Sequence, residues 1–358
     1  MKRKNLVVRR KAKKKEIAVK NSKIIKVYNR FKKIILKNVN NESFAIGVSG
    51  GADSLCLAYL SKIYSSEFRN RIHVLIVNHN LRKESYKEAL KVKKILKDKK
   101  IESKILSWNG KIPKSNIQKQ ARDIRYSLIF SYCAKKKINY LVTAHHRDDQ
   151  IENFFIRLFR GSGLSGLASM AENVNYNKKF KIIRPLLNIK KTDLEYITLK
   201  YFKNYIKDPS NVNEKFLRVR IRKYRKNMKA EGLNTDNIIK TINNLLSANK
   251  AMNYYKNKAF NKHVSFLSKN KCIINEQIFS DEAQEVIFKS FSDILSLVSG
   301  KYYPPRSKKI MNLINRAKKN FFNKSTLGGC VVEKKDGLIF ISKENENKEK
   351  KVAFQPNK

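Results

Sequence analysis

The chain has 358 residues, of which 41% are hydrophobic and 30% charged, and its formal net charge is +51. This length and composition predict two or three folded domains with apolar cores. No apolar run is long enough to span a bilayer. The four cysteines include no CxxC pair, which argues against a zinc ribbon and suits a reducing compartment. The charge favours a polyanionic partner such as nucleic acid, although an AT-rich genome that drifts toward lysine codons is an alternative source of the excess.

The first part of the chain predicts an α/β fold. A basic tail without an apolar signal core covers residues 1–23, and we expect it to contact RNA. Short apolar runs then alternate with amphipathic stretches. The predicted strands are Phe44–Val48, Ile72–Val77, Ser103–Trp108 and Tyr140–Thr143. The predicted helices are Asp53–Tyr64, Glu88–Lys99, Asn116–Lys137 and Asp148–Arg160. This alternation indicates a parallel sheet covered by helices, with the loops after Val48, Val77 and Thr143 converging on one site.

The second part of the chain is less regular. A Gly/Ser loop at 161–166 and a linker at 173–181 lead to an apolar run at 182–187 and a helix at 192–201. A turn at 208–211 precedes a basic helix at 216–229, and the remainder predicts helices followed by a short β segment at 328–341. The expected domains are a core at 24–166, a linker with basic helices at 167–232, a second domain at 233–342 and a charged tail at 343–358.

The strongest local pattern is Ser49-Gly-Gly-Ala-Asp-Ser54, between a predicted strand and a predicted helix. Glycines at 50 and 51 let a phosphate approach the backbone N–H groups at the start of the helix. Ser49 and Ser54 can add hydroxyl donors, and an acid inside a phosphate site fits a ligand of Mg²⁺, which assigns that role to Asp53. The alternative is a Gly-rich turn with a helix cap.

A second pattern, Thr143 to Glu152, leaves a predicted strand and enters a helix. Spacings of four and three residues bring His145, Asp149 and Glu152 to one helix face or its N-terminal rim. Such a group can bind a metal, orient a cation or transfer a proton. A helix with acidic residues in its first turn is the alternative.

Two basic groups follow the same logic. Arg122, Arg125 and Tyr126 share adjoining faces of the predicted helix with Gln118. Further along, the arginines of the basic helix alternate with apolar residues, as in a helix that packs on one side and meets phosphates on the other. The arginines predicted to contact the phosphates of tRNA are Arg218, Arg220 and Arg222. An ordinary solvated face is the alternative in both cases.

The hexapeptide at 49–54 resembles the PP-loop of the N-type ATP pyrophosphatases. Together with Asn78-His-Asn-Leu-Arg82, the HHxDDQxE segment, the RGSGLxGL loop at 160–167 and the DPSN turn with its arginines, it resembles the tRNA(Ile)-lysidine synthetases. The family has Asp and Gly where this chain has Asn78 and Asn80. Residues 301–342, with Tyr303-Pro-Pro305 and Leu327-Gly-Gly-Cys330, resemble its second, substrate-binding domain. The resemblance implies a Rossmann-like PP-loop domain followed by a smaller helical or α+β domain.

The resemblance also implies a reaction. ATP, with Mg²⁺, would adenylate the carbonyl oxygen on carbon 2 of the wobble cytidine in a CAU-anticodon tRNA(Ile). The amine of free L-lysine would then attack that carbon and release AMP. The product, lysidine, changes codon reading from AUG to AUA. Carried over by motif, residues 49–54 bind ATP. The implied catalytic residues are Asp53, Arg125, His145, Asp149 and Glu152.

Three other interpretations compete. A PP-loop thiolase generally needs a cysteine pair, which this chain lacks, and a PP-loop amide synthetase with a small acidic substrate does not need a basic surface. A non-catalytic RNA-binding protein with the same fold would not need the acids at Asp53 and Asp149. We expect a cytoplasmic protein, or one of the plastid stroma if it is organelle-encoded. A monomer and a homodimer both stay open.

Overall fold

The computed structural model describes residues 21–81, 84–110, 117–168, 170–176, 179–207, 214, 217–301, 304–319 and 322–344, with the backbone alone at 117–119, 226 and 229. Several sequence-based expectations therefore lie outside the described residues: most of both tails, the turn at 208–211, and Arg82, Asn116, Phe216, Tyr303 and the side chain of Gln118. The chain divides into two units, Met1–Asn243 and Asn244–Lys358.

The first unit alternates strands with helices, as the pattern predicts. Its strands are β1 (Phe44–Gly47), β2 (Ile72–Asn78), β3 (Ser103–Ser107), β4 (Tyr140–Val142), β5 (Asn173–Asn175) and β6 (Lys181–Ile183). Its helices are α1 (Ser22–Asn38), α2 (Ala52–Phe68), α3 (Ser85–Asp98), α4 (Ile117–Lys135), α5 (Arg147–Leu158), α6 (Leu164–Leu167), α7 (Lys191–Phe202) and α8 (Leu217–Ala230). The helix α9 (Thr235–His263) begins here and continues into the second unit.

The sheet of the first unit has the order β3-β2-β1-β4-β6-β5. Every neighbouring pair is parallel except β5 with β6, so the predicted parallel α/β fold is confirmed. Residues 173–181, predicted as a linker, instead contain the antiparallel edge strand β5, and the Gly/Ser loop contains the short helix α6. The strand β5 is only three residues long, and two of them are Asn, which is rare in strands, so the sequence does not reveal it.

The central strand β1 is buried. Phe44, Ala45 and Ile46 of β1 are fully buried, as is typical of a parallel strand covered on both faces. The helix α2 packs against this strand and against α7, and its apolar residues are buried on all sides. Since β2, β1 and β4 are adjacent, their carboxyl ends lie side by side, and the loops after them meet as predicted.

The second unit contains a five-stranded antiparallel sheet in the order β7-β8-β11-β10-β9. Its strands are β7 (Val264–Ser268), β8 (Lys271–Asn275), β9 (Lys324–Leu327), β10 (Cys330–Lys335) and β11 (Leu338–Lys343). Its remaining helices are α10 (Ile278–Asp281), α11 (Gln284–Ser299) and α12 (Ser307–Ala317). The expectation of helices followed by one β segment is therefore wrong, because β7 and β8 precede α10. Their two-residue turn, Lys269-Asn270, lacks the glycine that usually marks a hairpin.

Candidate active site

A cavity of about 420 Å³ opens at the carboxyl ends of β1, β2 and β4. It is lined by parts of the loops after these strands and by α3 and α4. Seven of the residues predicted for the site line it: Ser49, Gly51, Asp53, Ser54, Arg125, His145 and Asp149. Glu88, which the sequence presents only as a helix residue, also lines it.

Hydrogen bonds of Ser49 and Ser54 stabilise the conformation of the loop between β1 and α2. The backbone N–H of Ser49 donates to Oγ of Ser54 at 3.2 Å, and that hydroxyl donates to the carbonyl of Gly51 at 3.0 Å. Gly50 has φ +86°, and a Cβ there would lie 2.6 Å from the side chain of Val92. Glycine is therefore required at residue 50 both by conformation and by space.

Two contacts from distant parts of the chain fix the same loop. The hydroxyl of Thr198 on α7 donates to the carbonyl of Ala52 at 2.7 Å, and the N–H of Ile206 donates to the carbonyl of Gly50 at 2.9 Å. Sequence reasoning missed both residues, since neither forms part of a local pattern. The carbonyls of Gly50 and Ala52 are thus occupied by these contacts.

His146 connects two of the acids that line the cavity, Asp53 and Asp149. Its Nε2 lies 3.4 Å from Oδ2 of Asp53 and 3.5 Å from Oδ2 of Asp149. The same residue caps α5: its Nδ1 accepts the N–H of Asp148, and its own N–H donates to Asp149. Since Nδ1 is an acceptor, the proton of the neutral ring lies on Nε2, which faces the carboxylates. Sequence reasoning singled out His145 and passed over His146.

The pKa values of this group follow from burial and charge. Burial alone would lower the pKa of His146, but the hydrogen bond to Asp53 and the charges of Asp149 and Asp53 outweigh it and raise the pKa above its usual value. Burial would raise the pKa of Asp149, yet His146 and its backbone N–H lower it. Asp149 is therefore an anion at neutral pH.

His145 differs from its neighbour. Burial, together with the charges of nearby arginines including Arg184, lowers its pKa to about 4, against the opposing charge of Asp149. Its Nδ1 lies 2.9 Å from the hydroxyl of Thr143. His145 is thus a neutral ring at neutral pH, able to accept or donate one hydrogen bond to a substrate.

A second side of the cavity is formed by the loop after β2. Nη2 of Arg125 lies 3.4 Å from Nε2 of His79, and burial with the charge of Arg125 lowers the pKa of His79 to about 4. Asn78 accepts the N–H of Asn80 at 3.1 Å and donates to its side-chain oxygen at 2.7 Å. Asn80 has φ +51°, a conformation that favours Gly and, after it, Asn. This accounts for the Gly of the family pattern at residue 80.

Glu152 lies outside the cavity lining and binds an arginine instead. Its carboxylate is almost fully buried and takes a two-pronged contact from Arg222, with Nη2 to Oε2 at 3.1 Å. A second pair also joins α8 to α5, with Nη2 of Arg225 2.7 Å from Oδ1 of the partly exposed Asp148. Arg222, predicted to contact tRNA, therefore points to α5, whereas Arg218 and Arg220 are exposed.

The residues present fit a nucleotide with a magnesium ion. Oδ1 of Asp53 is buried, and within the described residues no protein group donates to it. At the start of α2 Gly51 supplies no side-chain cap, so the first N–H groups of the helix are left to a ligand. Mg²⁺ is commonly bound by one or two carboxylates plus phosphate oxygens and water, so Asp53 alone suffices as the protein ligand.

The four cysteines, all within the described ranges, are buried and unpaired. Among the described helices none is long and apolar enough to cross a membrane.

Comparison with known proteins agrees with this geometry. Residues 23–227 match the PP-loop domain family. The chain is 35% identical over 311 residues to the tRNA(Ile)-lysidine synthase of Orientia tsutsugamushi, covering 85% of this chain and 70% of that protein. It is 33% identical over 308 residues to the enzyme of the same name from Wolbachia pipientis wMel, covering 85% and 71%.

Among solved structures, the U34-tRNA thiolase NcsA from Methanococcus maripaludis, with its [4Fe-4S] cluster, is similar at TM-score 0.54 and 22% identity. The match covers 63% of this chain and 80% of that one. At this identity the likeness concerns the fold alone.

Proposed function

The chain belongs to the tRNA(Ile)-lysidine synthase family, and we propose that it joins free L-lysine to carbon 2 of the wobble cytidine in a CAU-anticodon tRNA(Ile). It is a tRNA-modifying ligase with an ATP-binding PP-loop domain. The observation that supports the detailed reaction most directly is the cavity in which Asp53, at the start of α2, and Asp149, in the first turn of α5, both lie within 3.5 Å of Nε2 of His146.

The proposed reaction has two steps. In the first, O2 of the cytosine attacks the α-phosphorus of ATP, a P–O bond breaks, and pyrophosphate leaves with its electron pair. In the second, an amine of lysine attacks carbon 2, the C–O bond breaks, AMP leaves, and the amine loses a proton. The product is lysidine, which reads AUA rather than AUG.

The loop between β1 and α2 would bind the phosphates of ATP. Its N–H groups and the hydroxyl of Ser49 are donors next to the positive end of α2. Asp53 would hold Mg²⁺, which supplies charge neutralisation for the phosphates when it is bound. Because His146 also contacts Asp53, the position of this carboxylate depends on α5.

Lysine would lie in the same cavity, between the opposite charges of Asp149 and Arg125. Asp149 stays anionic because its pKa is lowered, so it can pair with an ammonium group of lysine. Arg125, which also lines the cavity, would bind the carboxylate of lysine. Neutral His145 would take part in hydrogen bonding to the reacting groups. Glu152 supports these residues through Arg222 and would not touch the substrates.

The cytosine must leave its stack to enter this cavity, since base chemistry of this kind requires an unstacked base. An anticodon loop is single-stranded, so the cost of exposing its base is small. We propose the cytoplasm as the site of the reaction.

The test is a direct one. The purified full chain is given ATP, Mg²⁺, radiolabelled lysine and a CAU-anticodon tRNA(Ile) transcript. We expect lysine on the RNA and one AMP released for each lysine incorporated. A transcript with a GAU anticodon, which has no wobble cytidine, is the control. Absence of label with an otherwise folded, tRNA-binding protein would overturn the proposed reaction.

A further inference from the structure

The helix α8 has two different faces. Seven of its 14 residues are Lys or Arg, and it contains no acidic residue. Its inner face consists of Ile221, Arg222 and Arg225. Its outer face consists of residues spaced three and four apart: Arg220, Lys223, Tyr224 and Asn227.

The inner face is already used by the protein. Ile221 is buried, while Arg222 and Arg225 contact Glu152 and Asp148 on α5. These arginines are therefore positioning residues that fasten α8 to the helix whose first turn carries Asp149. They are not available as ligands of an RNA phosphate.

The outer face presents an aromatic ring beside two cations. Tyr224 is 54% exposed, and Lys223 beside it and Arg220 one turn before it are exposed as well. Nη1 of Arg220 donates to the backbone carbonyl of Glu214 at 3.0 Å. Lys223 pairs with Glu214 at 2.9 Å, but both side chains are more than half exposed, and a pair of this kind contributes little to stability. A phosphate could replace Glu214 at Lys223 at small cost.

We propose that the outer face of α8 binds the tRNA anticodon loop, with Tyr224 stacking on an unpaired base and Arg220 and Lys223 contacting the phosphates beside it. This proposal rests on the proposed function, because it takes the anticodon loop as the nucleic acid that reaches the cavity. An exposed aromatic ring between cations is the arrangement by which proteins bind single-stranded RNA, since every base offers a flat face to a ring.

The position of the surface agrees with this role. Arg218, in the first turn of α8, is close enough to the cavity for its charge to lower the pKa values of His145 and Asp149. Tyr224 is six residues further along, or about 9 Å along the helix axis. A base stacked on Tyr224 would therefore belong to a nucleotide near the cytosine in the loop.

The experiment measures binding of the full chain to a CAU-anticodon tRNA(Ile) transcript at several salt concentrations. Tyr224→Ala should weaken binding roughly tenfold, within the range of one lost base stack, without changing the salt dependence. Tyr224→Phe keeps the ring and should bind like the wild type. Arg220→Ala should reduce the slope of log affinity against log salt by about one, since one phosphate contact is lost.

A second measurement identifies the base. Each loop nucleotide outside the anticodon is replaced in turn by an abasic one. One of these should weaken binding to the wild type as much as Tyr224→Ala does and have no further effect on that variant. In turnover, Tyr224→Ala should raise KM for tRNA and leave kcat at saturating tRNA unchanged.

The failures are distinguishable. If the wild type forms lysidine but Tyr224→Ala binds tRNA as tightly as the wild type, the surface proposal is wrong and the proposed function stands. If Tyr224→Phe is as weak as Tyr224→Ala, the ring does not stack and the proposal is wrong. If the wild type binds tRNA(Ile) but forms no lysidine, the proposed function fails, while the binding measurements still test the surface.

Discussion

Nε2 of His146 lies 3.4 Å from Oδ2 of Asp53, so the residue that caps α5 also contacts the acid at the start of α2. The same nitrogen lies 3.5 Å from Asp149. The Nε2–H of His146 thus lies between the carboxylates of Asp53 and Asp149. It sets the distance between the acid proposed for the adenylation step and the acid proposed to bind lysine.

His146→Asn should separate the two roles of this side chain. Asn is among the best N-cap residues, and its oxygen takes the place of Nδ1, so stability should stay within about 1 kcal/mol of the wild type. The donor toward Asp53 is lost, and we expect AMP formation to slow about 10- to 100-fold, as for other losses of a supporting contact. Urea unfolding measures the stability of the variant, and AMP release measures the rate of AMP formation. His146→Ala, which also loses the cap, is the comparison. An Asn variant with wild-type AMP release contradicts the positioning role.

Asp53→Ala should abolish AMP formation and leave tRNA affinity within about twofold, because the carboxylate lies at the start of α2, beside the loop proposed to bind ATP, and is not part of the outer face of α8. Asp98→Ala, at the exposed end of α3, is the matched control and should behave like the wild type. AMP release and tRNA binding are measured on the same preparations. AMP formation at a near wild-type rate in the Asp53 variant would disprove the Mg²⁺ assignment.

Asp149→Asn and Arg125→Ala should divide the reaction between its two steps. Both variants should still adenylate tRNA. Asp149→Asn should weaken lysine binding by about 3 kcal/mol, the low end of the cost of an unpaired buried charge, because the Asp149 side chain is 15% exposed. Arg125 is exposed, so Arg125→Ala should weaken lysine binding by at most about 1 kcal/mol. The adenylated tRNA is trapped without lysine, and lysidine yield is followed at rising lysine concentration. Loss of adenylation with an unchanged lysine requirement would move both residues to the ATP or cytosine site.

Arg222→Ala should destabilise the protein by about 3 kcal/mol, because it leaves the buried Glu152 carboxylate without its partner. We expect the low end of the usual range because the Arg222 side chain is 32% exposed. Lys223 is the residue after Arg222, and its pair with Glu214 is exposed, so Lys223→Ala should leave the unfolding free energy close to that of the wild type. Urea unfolding of both variants makes the comparison. Equal losses would mean that the Arg222 pair is not buried in solution.

Acid should weaken the fold through His145. Its folded pKa of about 4 lies below the unfolded value of 6.5, so the unfolded chain binds more protons in that window. The contribution is complete above pH 6.5, decreases as pH falls by at most about 1.4 kcal/mol per pH unit, and is exhausted below about pH 4. His145→Gln should therefore show a shallower loss of unfolding free energy from pH 6.5 to 4.5. Parallel curves for variant and wild type would show that His145 titrates normally.

The first unit could be predicted well from its sequence because its strands are buried apolar runs and its helices are long. The strand β5 and the hairpin of β7 and β8 could not, since three Asn-rich residues and a turn without glycine leave no local signal. Their pairing depends on neighbours distant in sequence, which outweigh intrinsic preference.

The site shows the same division. Residues 49–54 and the pair His145 and Asp149 follow from local spacing. The contacts of Thr198 with Ala52 and of Arg222 with Glu152 join residues 146 and 70 positions apart, and no spacing rule predicts them. Arg222 illustrates the difficulty, because a charged residue in a basic helix has the same local pattern whether it faces solvent or a buried acid.

The pair Asn78 and Asn80 has a consequence for how this chain can diverge from the Asp and Gly of the family pattern. The amide of Asn80 is fixed by its donation to the carbonyl of Trp108, so its oxygen faces residue 78. If Gly at residue 80 were replaced by Asn while residue 78 was still Asp, the side-chain oxygen of Asn80 would lie against the carboxylate of Asp at residue 78. If Asp at residue 78 is replaced by Asn while residue 80 is still Gly, no such repulsion arises, and the Asn78 side chain still accepts the N–H of residue 80. The lower-energy mutational path thus changes residue 78 before residue 80, and reversal of Asn78 alone is disfavoured once Asn80 is present.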